Sequence, residues 1–117
     1  MLTGKNEQRF FNWMLNNIEV AEIPAFLSCV RVAPETGIEA IKKAWKHLPL
    51  SMQFGVVQDY ADSIGYDVCT TEHRGLFMYL ITKDPFDDWV EEFDYPTRKE
   101  ARTAAIKAFD EIVNSAT

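Results

Sequence analysis

The stretch Tyr95-Pro-Thr-Arg-Lys-Glu-Ala-Arg-Thr-Ala-Ala-Ile-Lys-Ala-Phe109 constrains the fold more than any other part of this chain. Thr97 followed three residues later by Glu100 is a capping box, in which side chains satisfy backbone donors left open at a helix start. Pro96 keeps the preceding segment from running on as a strand. Ala101, Ala104, Ala105, Ala108, Phe109, Ile112 and Val113 recur at helical spacing and form one apolar stripe. The first turn breaks a rule. It carries Arg98, Lys99 and Arg102, where the positive end of the helix dipole favours carboxylates. A local conflict of this kind marks a place to look for function or for compensation.

The rest of the chain reads as further helices and a small sheet. Phe10, Phe11, Trp13, Met14 and Ile18 predict a helix over 6–17. Residues 18–33 are open between strand and helix. Thr36 with Glu39 is a second capping box, and Ile38, Ile41, Ala44, Trp45 and Leu48 extend it into a helix over 36–47, ended by Pro49. A third helix is expected over 51–64, with Ser51 as its N-cap and Gly65 as a left-handed C-terminal stop. The period then changes from 3.6 to 2. Strands are expected at 66–71, 76–82 and 89–95, with a tight turn at His73-Arg-Gly75 and a loop at 83–88. In the last strand Trp89, Glu91, Phe93 and Tyr95 alternate against Val90, Glu92 and Asp94. The final helix covers 97–114. Short connections make the strands an antiparallel meander, and the helical stripes need one sheet face to cover. The fold class is therefore α+β, one domain over 1–117, with a helical part at 1–47 and an α-β-β-β-α unit at 48–117.

Composition narrows the function classes. At 117 residues, 47% of them hydrophobic, the chain can bury a core without staples. It has no apolar run near membrane-span length and no signal-peptide core at its start, so a cytoplasmic location is expected. Cys29 and Cys69 fit no metal spacing and read as buried, reduced thiols. The net charge is −6, concentrated in residues 59–96, where two bases meet ten acids. That balance disfavours nucleic acid at long range.

Two resemblances rest on particular residues. Arg98-Lys-Glu-Ala-Arg102, followed by Ala104 and Ala105, resembles the opening of the last helix in double-stranded-RNA-binding domains, and residues 48–113 share that family's element order. The resemblance implies phosphate contacts by Arg98, Lys99 and Arg102. The loop Glu72-His-Arg-Gly75 has a histidine but not the family's Gly-Pro-x-His element, and the residues before the helix are acidic. Leu48-Pro-Leu-Ser-Met-Gln-Phe-Gly-Val-Val-Gln-Asp59, Asp62-Ser-Ile-Gly65 and the start of the last helix look similar to small uncharacterised proteins of bacterial prophages and mobile elements. No activity comes with that resemblance.

Each candidate site has a plainer alternative. The basic turn is a phosphate contact, or it balances Glu91, Glu92 and Asp94 on the preceding strand, each exposed pair contributing about 0–1 kcal/mol. Asp84, Asp87, Asp88, Glu91, Glu92 and Asp94 form an acidic interaction surface that mimics DNA phosphates, a seat for a hard cation, or a charged strand edge guarded against aggregation. Their spacing is not that of a calcium loop. His47, His73 and the pair Asp59 and Asp62 are the remaining candidates for acid–base work, and they complete no catalytic constellation. No cofactor or metal is expected. The aromatic residues Phe10, Phe11, Trp13, Trp45, Trp89 and Phe93 exceed what a three-stranded core needs, so some are expected at a protein partner or a homodimer face. The expectation is a non-enzymatic interaction protein acting through protein–protein contacts. RNA binding by the last helix and acidic DNA mimicry are the alternatives.

Overall fold

The computed structural model describes residues 2–17, 37–83 and 89–116. They form an α+β fold. The elements run α1 (Gly4–Asn17), α2 (Gly37–Lys46), α3 (Leu50–Ser63), β1 (Tyr66–His73), β2 (Leu76–Lys83), β3 (Trp89–Tyr95) and α4 (Arg98–Ala116). The strands make an antiparallel sheet in the order β1-β2-β3. The uncertain segment 18–33, the Thr36 capping box, Cys29 and the loop acids Asp84, Asp87 and Asp88 lie outside the described residues.

The sheet follows from local sequence. Gly65 has φ +88°, the left-handed value that stops α3 and turns the chain into β1. Arg74 and Gly75 have φ 55° and 83° and link His73 to its partner Leu76, a two-residue turn whose hand suits a twisted hairpin. Tyr66 and Val68 on β1 and Tyr79 and Ile81 on β2 point to the helices and are buried. α4 lies across β1 and β2, and α3 packs against β1 and α4.

Two expectations need correction. Ser51 is not the N-cap of α3. Pro49 takes that place, with φ −58°, ψ 150° and no side-chain cap, and its carbonyl accepts Met52 N and Gln53 N, both at 3.0 Å. Helical hydrogen bonding therefore starts at the Pro49 carbonyl, and Leu50 is already the first residue inside the helix. The alternation in β3 also fails. Phe77 pairs with Tyr95 and Tyr79 with Glu92, so β3 carries one extra residue there, and Asp94 has φ 74°. This bulge turns Tyr95 to the same face as Glu92, against the helix-covered side of the sheet.

The N-terminal helix packs on its own domain. Phe10, Phe11 and Trp45 are buried, and Trp13 packs against the core. Aromatic rings run in a chain from α2 to β1. Trp45 meets Phe10 at 4.8 Å, Phe10 meets Tyr60 at 5.2 Å, Tyr60 meets Phe109 at 6.1 Å and Phe109 meets Tyr66 at 5.6 Å, all edge-to-face. That geometry sets the negative ring face against the positive edge, adding about 0.5–1.5 kcal/mol per pair beyond area burial.

Polar clamps complete the join. Asp110, 5% exposed on α4, accepts from Thr3 N at 3.0 Å, Thr3 Oγ1 at 2.7 Å and Asn6 Nδ2 at 2.9 Å. Asn114 accepts from Asn6 N at 3.1 Å and donates to the Thr3 carbonyl at 3.0 Å. Tyr60 Oη donates to Asn6 Oδ1 at 2.8 Å. The open donors at the start of α1 are thus satisfied by side chains of α4, and its dipole meets a carboxylate. This explains why α1 begins two residues before the expected start.

Candidate functional site

The basic turn sits where three elements converge. Residue Thr97 caps α4 through Oγ1, which accepts Glu100 N at 3.1 Å. α3 leads through Gly65 into β1, so the start of α3 lies beside the far end of β1 and the β1–β2 turn. β3 ends opposite Phe77, which brings the start of α4 to the same end. The end therefore gathers α3 from Leu50, the turn at 73–76, and the first turn of α4.

The arginines have aromatic partners. The Arg98 guanidinium lies 5.1 Å from the centre of the Phe77 ring and Arg102 lies 5.6 Å from that of Phe54. They are one helical turn apart and straddle β2 and α3. A planar, weakly hydrated guanidinium stacks well on an aromatic face, with about 0.5–2 kcal/mol of attraction. Arg102 Nε is buried without a hydrogen-bond partner, so ring contact and packing hold this side chain. Lys99 is exposed. On the neighbouring strand Glu92 accepts a hydrogen bond from Tyr79 Oη at 3.2 Å, and Asp94 is exposed at the bulge. Direct pairing of the turn with Glu92 or Asp94 is absent among the described residues, and the side chain of Glu91 lies outside the description. Two large apolar side chains are exposed at this end of the fold: Met52 in the first turn of α3 is 45% exposed, and Leu76 at the start of β2, on the sheet face opposite Phe77, is 41% exposed. Nothing in the hydropathy pattern marked either, since an apolar residue in a first turn or at a strand start reads as core.

The other candidates lie apart from this end. Asp59, Asp62 and Asp67 meet where α3 passes into β1, and Asp62 is held above the usual carboxylate range by burial and then by its two acidic neighbours. Lys83 lies there too, over the Tyr66 ring at 5.7 Å. His47, in the turn after α2, and His73, at the end of β1, are both exposed. Cys69 is free and half-buried, with burial pushing its thiol upward and Asp67 adding to the shift. Among the described residues no group of His, Cys, Asp and Glu is arranged to hold a metal ion. A cavity of about 510 Å³ lies between α1, α2 and α3, lined by Leu2, Phe10, Phe11 and Trp45 with Lys42, Lys43 and Lys46. Its aromatic floor is closed, with Phe10 0% and Trp45 3% exposed.

Tyr79 supplies a spectroscopic check on the sheet face. Its hydroxyl is pushed up from 10.0 to about 12, first by burial, then by its hydrogen bond to Glu92 and nearby charges. A raised tyrosine favours the neutral phenol in the folded state. Its contribution is therefore complete below pH 10 and is lost as the pH rises toward about 12. Ultraviolet titration should show a phenol ionising near pH 12 in the wild type, and Glu92→Gln should lower that value. An unchanged titration would remove Glu92 as a cause.

Comparison with protein-family models, curated proteins and solved structures finds no match to this chain. No helix among the described residues is long and apolar enough to cross a membrane.

Proposed function

We propose that this protein is a non-enzymatic interaction module that works through protein–protein contacts made at the end where α3, the β1–β2 turn and α4 converge. One observation carries the reading: Met52 and Leu76 are left exposed at the end of the fold where Arg102 and Arg98 stack on Phe54 and Phe77. Exposed apolar groups with basic neighbours on a rigid frame suit a protein contact, where apolar anchors supply most of the affinity and charges set orientation. The prophage or mobile-element setting suggested by the sequence fits a small binder of this kind. A photo-crosslinking amino acid placed at 52 or 76, in cells of the source organism, is expected to give adducts that the same group at exposed Lys107 does not. Equal adducts at all three positions, or none, would remove the proposal.

Duplex RNA is the second reading, favoured by the α-β-β-β-α order with three bases at the start of the last helix. It requires a salt-dependent mobility shift that Arg98→Glu weakens. Against it stands α3, which carries no Lys or Arg between Leu50 and Ser63 to extend the basic surface.

A further inference from the structure

We infer that the groove between the second half of α4 and β3 receives a basic protein segment, with an arginine or lysine side chain lying along its floor. The contact is separate from the one proposed at Met52 and Leu76 and does not depend on it. α4 lies across β1 and β2, so the helix-covered face of β3, the last strand of the sheet, is left largely open beside it. The groove measures about 590 Å³, and Tyr79, Ala108, Glu111, Ile112, Ser115 and Ala116 line it. Ala108 to Ala116 spans more than two turns of helix, about 12 Å. The groove is open to solvent along this length. A trough of that shape fits a stretch of chain, whereas a small amine fills only part of it.

Its walls are negative from three directions. Glu111 lines the groove and is exposed. Glu92, exposed on β3, accepts the Tyr79 hydroxyl at 3.2 Å and so stands across from it. The last turn of α4 carries the negative end of the helix dipole and holds no base. The Tyr79 hydroxyl feels both carboxylates: after burial and the Glu92 hydrogen bond, the charges of Glu92 and Glu111 help push it up to about 12. Among the described residues no base pairs with Glu92 or Glu111. Lys107 stands about 100° round the helix from Ala108. Arg98 and Arg102 are held at the other end of α4, and Lys83 lies over Tyr66. The floor is apolar. Tyr79 is buried with the Tyr95 ring 6.0 Å away, and Ala108 and Ile112 are half-buried. A long basic side chain packs its methylenes on such a floor and carries its cation to the carboxylates at the rim. The same carboxylates repel phosphate, which sets nucleic acid aside at this groove.

The test uses the isotope-labelled full chain and three probes: a short peptide alternating Ala and Arg, its Ala and Gln counterpart, and arginine amide as a small amine. The arginine peptide is expected to shift the amide signals of Tyr79, Glu92 and 108–116. Glu92→Gln with Glu111→Gln should weaken it about tenfold or more, the scale of one lost charged hydrogen bond. Asp59→Asn with Asp62→Asn removes as much charge elsewhere on the chain and should leave the binding unchanged. Native signals from α1 will show that both variants are folded. No shift in the groove with the arginine peptide overturns the inference, as does full affinity in the Glu92 and Glu111 variant or equal binding of the glutamine peptide. An equal loss in the Asp59 and Asp62 variant assigns the attraction to net charge and overturns it too. Arginine amide binding as tightly as the peptide overturns a protein segment as the occupant.

Discussion

Phe109→Ala is expected to destabilise the protein by about 4 kcal/mol, the scale found when a fully enclosed phenylalanine is truncated. Phe109 is 0% exposed and stands between Tyr60 on α3 and Tyr66 on β1, so its loss opens a cavity where helices and sheet meet. Three elements border that cavity, and none can close it without leaving another. For a chain of this size the midpoint of thermal unfolding should fall by about 15 °C. Calorimetry on wild type and variant checks this, and a fall under a few degrees would mean the aromatic chain is not the principal joint. Phe109→Leu, which keeps most of the volume, should recover more than half of the loss.

Asp110→Ala should cost about 3 kcal/mol by a different route. The carboxylate accepts from Thr3 N, Thr3 Oγ1 and Asn6 Nδ2, and Asn6 is 0% exposed. Removing the acceptor leaves the buried Asn6 amide without this partner, costing about 1–3 kcal/mol, and gives up the two charged hydrogen bonds from exposed Thr3. The loss is local, because these donors belong to the start of α1. Hydrogen exchange should therefore show the first turns of α1 opening in Asp110→Ala, while β1 and β2 keep their relative protection. Asp110→Asn retains an oxygen acceptor toward Asn6 and should cost about 1 kcal/mol, since a neutral acceptor is weaker than a charged one. Equal losses for the alanine and asparagine variants would show that packing, and not hydrogen bonding, holds the clamp.

Much of the fold was legible because it depends on neighbours in sequence. The Thr97 cap, the alanine stripe of α4 and the stop at Gly65 are local chemistry and stand where the spacing put them, while the turn expected at 73–75 narrows to Arg74-Gly75 because β1 runs past 71 to His73. The Asp110 clamp was invisible because its partners lie more than 100 positions away. Asp110 stands late in α4, and the start of α1 that it clamps lies at the other end of the chain. The bulge in β3 was equally hidden, since one extra residue shifts every later side chain to the other face without altering composition. The basic turn shows both sides. Its residues were legible, but charge alone suggested carboxylate neighbours, whereas the partners of Arg98 and Arg102 are rings brought in from β2 and α3. Only the tertiary arrangement places Phe77 and Phe54 beneath them.

The central claim, that the converging end meets a protein, is tested most directly by the chemical nature of what is crosslinked at position 76. Adducts formed there in cells should be digested by protease, resist nuclease, and yield partner peptides by mass spectrometry. Adducts that nuclease removes and protease leaves attached to nucleotides would contradict it and assign this end to nucleic acid.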